Sequence, residues 1–311
     1  MCYNKSMTLN LNFELVDSIE SADAITHSGN FHADEIFATV ILARVFEKEG
    51  KVLHVYRIND LKGHIPPHVI VYDIGGGKYD HHQIGGNGTR KNGIPYSSFG
   101  LIWKEFGEKL VTEHSIWTTI DKQLVQGIDA IDNGMITKNF DKYTLLSVPS
   151  IISSFAPTWN STLSMNEAFI DAVNFANVIL NNICISAQAV FDSKEIIEEA
   201  IEKAKNHVMI LDEFVSWQYH LTISLNEKAK DIWYVAFPSL RVGWNAQTVP
   251  VSLGSFEARK PFPLLWRGLP QKNLKEVSGV ETAYFCHQKG FIIGAEDKKG
   301  ILEMVKIAVE S

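Results

Sequence analysis

The sequence predicts an α/β protein: an N-terminal domain with a mainly parallel sheet flanked by helices, followed by a smaller C-terminal α+β domain. Three observations carry this. A short apolar run leads into a helix-patterned segment and then into two β-rich runs within about 50 residues, the order expected of a parallel sheet. After Leu211 the pattern changes to short strands. The 311-residue length, with 45% hydrophobic residues, suits one large domain or two of ordinary size and can bury a core.

Each element has its own signal. Residues 22–26 form a buried strand ending beside His27. Asp34 has the chemistry of a helix N-cap; Ile36, Phe37, Val40, Ile41 and Val45 follow at helical spacing, and Gly50 suits the stop. Residues 52–56 and 69–73 are β-rich and bounded by turn residues, which places His27 and Asp73 at the carboxyl ends of strands, where such sheets gather ligand groups. Residues 84–95 read as a loop, and 98–110 and 116–131 as helices, the second ended by Asn133-Gly134. The stretch 147–160 carries two prolines and marks the boundary, giving domains 1–150 and 151–311. Residues 165–189 and 193–207 read as helices. The acidic residues Glu195, Glu198, Glu199 and Glu202 of the second form a solvated face. Strands are expected at 220–225, 232–237, 242–251 and 290–295, and a final helix from about Asp297.

Composition excludes several classes. No stretch approaches the roughly 20 consecutive apolar residues of a membrane helix. Residues 1–12 lack the basic region and long apolar run of a secretory signal. Cys2, Cys184 and Cys286 make neither a zinc spacing nor a disulfide framework, so a reducing cytoplasm is the expected compartment. A net charge of −7 argues weakly against broad nucleic-acid binding.

Seven of eleven histidines, His27, His32, His54, His64, His68, His81 and His82, lie within 56 residues. His54 falls mid-strand, and His64 and His68 flank prolines, so these three read as structural. The others belong to four segments: His27 to Glu35 with His32 and Asp34, then Asp73, then Asp80-His81-His82, then Asp129 to Gly134 with Asp132. Glu35 reads as a first-turn carboxylate favoured by the helix dipole. Gly75-Gly76-Gly77 lacks a Walker lysine and reads as a tight turn between Asp73 and Asp80. Mixed imidazole and carboxylate donors suit Mn²⁺, Fe²⁺, Co²⁺ or Zn²⁺ better than Ca²⁺. Their number exceeds what one tetrahedral zinc needs and points to two metals sharing a bridging carboxylate, an arrangement that clamps a phosphoryl group and activates water.

With Asp73 and the N-terminal His/Asp motif, Asp80-His81-His82 resembles the DHH-type phosphoesterase superfamily. More closely, Thr26-His27-x-Gly29-x-Phe31-His32-x-Asp34-Glu35, Tyr79-Asp80-His81-His82-Gln83 and Ile128-Asp129-Ala130-Ile131-Asp132-Asn133-Gly134 resemble the Myg-one (melanocyte-proliferating-gene) family of metal-dependent hydrolases. The resemblance continues through Trp244 to Pro250, Arg259-Lys260-Pro-Phe-Pro263, Trp266-Arg267-Gly268-Leu269 and His287-x-x-Gly290-Phe291, nearly the whole chain. It implies that His27, His32 and Asp34 hold metals, that Asp73 bridges them and that His81 is a further ligand. Asp80 would orient an imidazole, and His82 would ligate or contact phosphate. Asp132 is the fourth-motif choice, with Asp129 on the same helix face as the alternative. His32 stands where many superfamily members carry an aspartate, and Gly290-Phe-Ile-Ile-Gly294-Ala lacks the family's paired glycines.

The second domain has six basic residues between Arg241 and Lys275 against one acid, Glu257, with Trp244, Phe256, Phe262 and Trp266 interleaved. That composition suits single-stranded nucleic acid, with Arg259, Lys260, Arg267 and His287 as candidate substrate contacts; the alternative is a buried set of aromatics with a solvated basic rim. The expected function is a metal-dependent phosphodiesterase using two ions, Mn²⁺ first with Mg²⁺, Fe²⁺, Co²⁺ or Zn²⁺ as alternatives. The resemblance favours 3′–5′ exonuclease action on RNA or short oligonucleotides, with Asp80 and His82 as the catalytic pair. The rivals are hydrolysis of a small nucleotide or pyrophosphate-like molecule, and a metal-stabilised RNA-binding protein without turnover.

Overall fold

The structure, a computed structural model, describes residues 11–135 and 146–311; Cys2 and residues 1–10 of the N-terminal segment read above lie outside them. The chain divides into two compact units, Met1–Ala187 and Gln188–Ser311.

In the first unit, β1 (Phe13–Val16), β2 (Ala24–His27), β3 (Leu53–Ile58) and β4 (Ile70–Val71) form a sheet in the order β1-β3-β2-β4, and every pair is parallel. The crossover from β2 to β3 is the helix α1 (Ala33–Lys48), buried without interruption from Ala33 to Val45. A helix enclosed on all sides needs apolar residues on all sides, so its sequence shows little amphipathic contrast. The helix begins earlier than expected: His32, in an extended conformation, is the N-cap, not Asp34. Both oxygens of Glu35 accept the His32 backbone N–H at 2.8 Å, which fixes the start there and leaves Asp34 buried in the first turn.

Next comes α2 (Ser98–Phe106), where Phe99 stacks on Phe37 of α1 at 5.2 Å. The single helix expected at 116–131 is three pieces: α3 (His114–Ile120), a π-helical turn (Asp121–Val125) and α4 (Gln126–Asp132). The π-turn carries Asp121, which accepts from Arg90 Nη2 at 3.0 Å. Short α5 (Val148–Ser153) is followed by α6 (Met165–Asp192). The units divide near the end of α6 rather than at 150/151, because α6 is part of the first core: Ala168, Phe169, Ala172, Val173, Ala176 and Leu180 are buried, and Arg44 of α1 donates to Asn177 Oδ1 at 2.8 Å. By length and composition the helical stretch that begins with α6 is apolar enough to cross a membrane, although no uninterrupted apolar run marks it, and core residues of α6 are buried inside the first unit.

The second unit is a mixed sheet in the order β5-β6-β7-β9-β8, made of β5 (Val208–Ile210), β6 (Tyr234–Pro238), β7 (Trp244–Thr248), β8 (Ala283–Cys286) and β9 (Ile292–Ala295). Its first pair is parallel and the other three antiparallel. Along β6, Val235 and Phe237 pack with Met209, Trp217 and Leu221 from the side of α7 (Lys194–Lys203), α8 (Gln218–Ile223) and α9 (Glu227–Lys230). The alternating Tyr234 and Ala236 face the other core, with Ala246, Ile293, Leu274 of α10 (Gln271–Ser278) and Met304 of α11 (Lys298–Glu310). The final helix starts where expected, with Asp297 as its cap, accepting from the Gly300 N–H at 2.7 Å, and the acidic face of α7 is exposed. Residues 220–225 are not a strand. Trp217 and Leu221 are four apart and both buried, a helical pair that outweighs the β-branched Thr222 and Ile223.

Candidate metal centre

Three segment ends and one helix bring the candidate ligands together in the first unit. His27 closes β2, and its Nδ1 donates to the Ser28 carbonyl at 3.1 Å. That bond fixes the proton on Nδ1 and turns Nε2 toward Glu35 Oε1 at 3.0 Å and Asp73 Oδ2 at 3.2 Å. Asp73 follows β4 with φ +58°, an uncommon conformation for a non-glycine residue. It is kept there by its own N–H donating to the Tyr79 carbonyl at 3.1 Å and by the Ser98 hydroxyl donating to Oδ1 at 2.8 Å. The turn to Asp80 runs through Gly75 and Gly76, both with positive φ, as the glycine run predicts.

On the other side of Asp73, His81 Nε2 faces three carboxylates: Asp132 Oδ2 at 3.0 Å, Asp73 Oδ1 at 3.4 Å and Asp34 Oδ2 at 3.5 Å. None of these contacts has hydrogen-bond geometry: His81 Nε2, Asp73 Oδ2 and Asp34 Oδ1 are buried without a hydrogen-bond partner among the described residues. Converging donor atoms with unused lone pairs are what a divalent cation requires, and leaving them buried and unmatched would be costly. The residues fit a metal centre. Donor atoms lie within 4.8 Å of one another in four overlapping sets: His27–His32–Glu35, His32–Asp34–Asp132, Asp34–Glu35–Asp73 and Asp73–His81–His82. His32, Asp34, Glu35 and Asp73 each belong to two sets, so more than one ion position can be drawn.

The charges are strongly coupled. Burial, reinforced by Asp73, pushes the Asp34 carboxyl well above its usual range, and burial also raises Glu35. Asp73 goes the other way: burial works against its charge, but the imidazoles of His27 and His81 and the Ser98 hydroxyl hold it below the usual range. Burial alone would lower the two imidazoles. The carboxylates of Asp73 and Glu35 instead push His27 up to about 11, and those of Asp132, Asp34 and Asp73 push His81 up to about 12. Without an ion, the raised imidazoles of His27 and His81 offset part of the carboxylate charge.

Asp80 and His82 form a separate pair at the rim. His82 Nδ1 donates to Asp80 Oδ1 at 2.8 Å, while Gly76 N donates to Asp80 Oδ2 at 2.7 Å. Burial would raise the Asp80 carboxyl, yet the backbone donors of Gly76 and His82 and the imidazole hold it below its usual range. The His82 side chain is 58% exposed, so Asp80 orients a solvent-facing ring.

Asp129 is placed elsewhere. Its carboxylate accepts from Arg90 Nη1 at 2.5 Å, Ser97 Oγ at 2.5 Å and Gly100 N at 3.1 Å, leaving Asp132 as the fourth-motif residue in the cluster. Burial pushes Asp129 up to about 6 against the pull of Arg90 and Ser97. His54 is engaged by Asp23 at 2.8 Å, His64 and His68 are exposed, and none of the three belongs to the donor sets above.

Sequence reasoning undervalued Glu35 and passed over Ser98. Glu35 is both cap and His27 partner, and its position three residues after His32 is the spacing of a capping box. Ser98 carries no motif signal; it is found by its contacts with Asp73 and, through its N–H at 3.3 Å, with Asp34.

In the second unit the predicted basic contacts are occupied. Arg259 Nη1 donates to the carbonyls of Ala229, Lys230 and Ile232, Lys260 to Val309, and Arg267 through Nε and Nη2 to Phe262. Phe262 and Trp266 are buried and cannot stack on a ligand, whereas Phe256 is fully exposed. His287 is partly exposed, with Nδ1 accepting the Lys289 N–H at 3.1 Å.

Residues 23–309 match the MYG1 exonuclease model, described as an uncharacterised protein family (UPF0160). The chain is similar to the MYG1 protein of Schizosaccharomyces pombe, at 31% identity over 92% of this chain and 96% of the relative. It is also similar to the MYG1 exonuclease of Mus musculus, at 30% over 90% and 83%, and to that of Homo sapiens, at 29% over 90% and 84%. Among solved structures, RecJ in complex with Mg²⁺ from Thermus thermophilus aligns over 94% of this chain and 50% of its own, at 11% identity and a TM-score of 0.26.

Proposed function

The chain belongs to the MYG1 family, and on that basis we propose that it is a metal-dependent phosphodiesterase, a 3′–5′ exonuclease acting on RNA or short oligonucleotides. The observation that carries the reading is a set of three buried donor atoms without a hydrogen bond among the described residues, on Asp34, Asp73 and His81, inside a wider imidazole–carboxylate cluster. The exonuclease names of the mouse and human relatives support the reaction class.

His27, His32, Asp34, Asp73, His81 and Asp132 would hold the ions, with Glu35 beside His27. A mixed nitrogen and oxygen set of this kind favours Mn²⁺, with Mg²⁺, Fe²⁺, Co²⁺ and Zn²⁺ as competitors. Divalent ions held there would neutralise phosphoryl oxygens and lower the pKa of water. The chain's own residues do the rest. Asp73 orients both halves of the cluster, with one oxygen toward His27 and the other toward His81. His82 directs its Nδ1 proton to Asp80, which leaves the Nε2 lone pair to accept a proton from a water or hydroxyl at the substrate.

The test is a panel of labelled single-stranded RNA, single-stranded DNA, dinucleotides and pyrophosphate with Mn²⁺, Mg²⁺ and Zn²⁺. Stepwise release of mononucleotides from the 3′ end of RNA, lost in His81→Ala, is the expected result. Turnover of pyrophosphate or dinucleotides alone would transfer the function to a small-substrate hydrolase. No turnover of any phosphorus compound would leave a metal-stabilised binding protein.

A further inference from the structure

The sheet of the second unit carries an aromatic feature that the basic segment 241–275 did not reveal. Strand register sorts its faces. Val235 and Phe237 of β6 pair with Gln247 and Asn245 of β7, which pair with Ile292 and Gly294 of β9, so all six share one face. Val235 and Phe237 are covered by α7, α8 and their neighbours. Asn245, Gln247 and Ile292 are only partly buried.

On the edge strand β8 the alternation breaks. Ala283 and Cys286 both belong to the core under α10 and α11, and the register shifts between Ala283 and Phe285. The extra residue of this bulge puts two successive aromatics, Tyr284 and Phe285, on the outer face opposite Gly294. Gly294 has no side chain to block them: a Cβ there would lie 2.6 Å from Tyr284 Cζ. Tyr284 is then anchored by its hydroxyl, 3.2 Å from the Val242 carbonyl and 3.3 Å from Asn245 Oδ1.

Phe285, held by nothing comparable, is 41% exposed. Its ring lies 6.4 Å from His287, which in turn lies 4.2 Å from the ring of Phe291, 42% exposed. Because His287 Nδ1 accepts the Lys289 N–H, the ring proton sits on Nε2, leaving a donor between two open phenyl rings. Among the described residues, none of the strands that make this sheet carries an acidic residue. The turns at its two ends carry exposed cations, Arg241 before β7 and Lys289 before β9. The nearby Glu296 is directed to Lys275 of α10, at 3.4 Å.

Exposed rings on a sheet, an imidazole between them, amides beside them and cations at the rim match unpaired bases on a phosphate backbone. We infer that the bulged edge of this sheet, through Phe285, His287 and Phe291, is a stacking platform for single-stranded nucleic acid. The inference rests on the exonuclease reading for its ligand class.

The experiment measures binding apart from turnover. A fluorescein-labelled single-stranded 12-mer RNA is titrated with the full chain in EDTA, by anisotropy, for wild type, Phe285→Leu, Phe291→Leu, the double variant and Phe285→Trp. Leucine keeps apolar bulk and removes the ring. Each leucine should raise the Kd at least roughly fivefold, the double variant more, with Phe285→Trp near wild type and a duplex of the same sequence bound more weakly. Circular dichroism melting confirms folding, and an unfolded leucine variant is replaced by Phe285→Tyr/Phe291→Tyr, expected to bind as wild type. A folded double variant with unchanged Kd, equal affinity for duplex, or no RNA binding by wild type overturns the inference. So does a wild-type dimer dissociated by the double variant without RNA binding, which would give the face to a second copy. Ring-dependent RNA binding without hydrolysis in any metal would instead overturn the exonuclease reading and leave the platform standing.

Discussion

Two buried aspartates in the first unit, Asp73 and Asp129, show how the same side chain serves opposite ends. Asp129 accepts from a guanidinium, a hydroxyl and a backbone N–H, and the cation that balances it, Arg90, is part of the chain. Asp73 sits among other carboxylates and imidazoles, with Oδ2 lacking any hydrogen bond among the described residues. The first cluster is satisfied in hydrogen bonds from within the chain, its guanidinium shared between Asp129 and Asp121. The second is complete only when protons or metal ions are supplied. Burial alone therefore does not identify a ligand; incomplete satisfaction does. The two are joined structurally, since Ser97 bonds Asp129 and the adjacent Ser98 bonds Asp73.

Several substitutions would break or sharpen that contrast. The largest effect is expected at Asp73. Asp73→Asn should reduce metal-dependent RNA hydrolysis by more than about a hundredfold, beyond what loss of an outer partner of a metal ligand costs, while the protein stays folded. Initial rates and a melting curve check both halves. At the satisfied aspartate the effect should be on stability. Arg90→Met leaves Asp129 buried without its cation and should cost about 3–5 kcal/mol in denaturant unfolding. A loss of activity in Arg90→Met at full stability would erase the distinction. Between them, Ser98→Ala removes a donor to Asp73 but no ligand, and Mn²⁺ affinity should fall roughly 10–100-fold by calorimetry.

The imidazoles add a pH dependence. In the metal-free protein His27 and His81 are raised to about 11 and about 12. Raised histidine pKa values contribute stability that is complete below the unfolded value of about 6.5 and is lost as pH rises through the folded ones. Metal must displace those protons, so between pH 6 and 8 the apparent Mn²⁺ affinity should rise roughly tenfold per unit for each proton released. Titrations in buffers of different ionisation heat count the protons; a pH-independent affinity would mean the imidazoles are not displaced. The smallest effect is in the second unit. Arg259→Ala deprives three carbonyls of their donor and should cost about 1–2 kcal/mol of stability while leaving the salt slope of RNA binding unchanged. A shallower slope would return Arg259 to the substrate.

Much of the candidate centre could be read from the chain because its candidate ligands come in short motifs, several of them at strand ends, and the parallel sheet brings such ends to one edge. His27, Asp34, Asp73 and His81 are found this way. Two kinds of information could not be. One is which neighbour satisfies a charge: Asp129 and Asp132 are equivalent in the sequence, and Arg90, far from both in the chain, separates them. The other is where the side chain of a basic or aromatic residue is spent. Arg259, Lys260 and Arg267 read as substrate contacts and instead tie carbonyls, while Phe262 and Trp266, open in the sequence between a stacking surface and a core, fill a core. The elements followed the same rule. The enclosed α1 and the strands β2 and β3 had strong apolar signals, while β1, β5 and α10 were missed because they are short or of mixed composition.

The central claim is that the unmatched donors around Asp73 form a metal centre. Calorimetric titration of the metal-stripped protein with Mn²⁺, for wild type and Asp73→Asn, tests it most directly. The account predicts saturable binding with proton release in wild type and its loss or severe weakening in Asp73→Asn. Wild-type protein that binds no ion, or Asp73→Asn that binds as tightly as wild type, would contradict it.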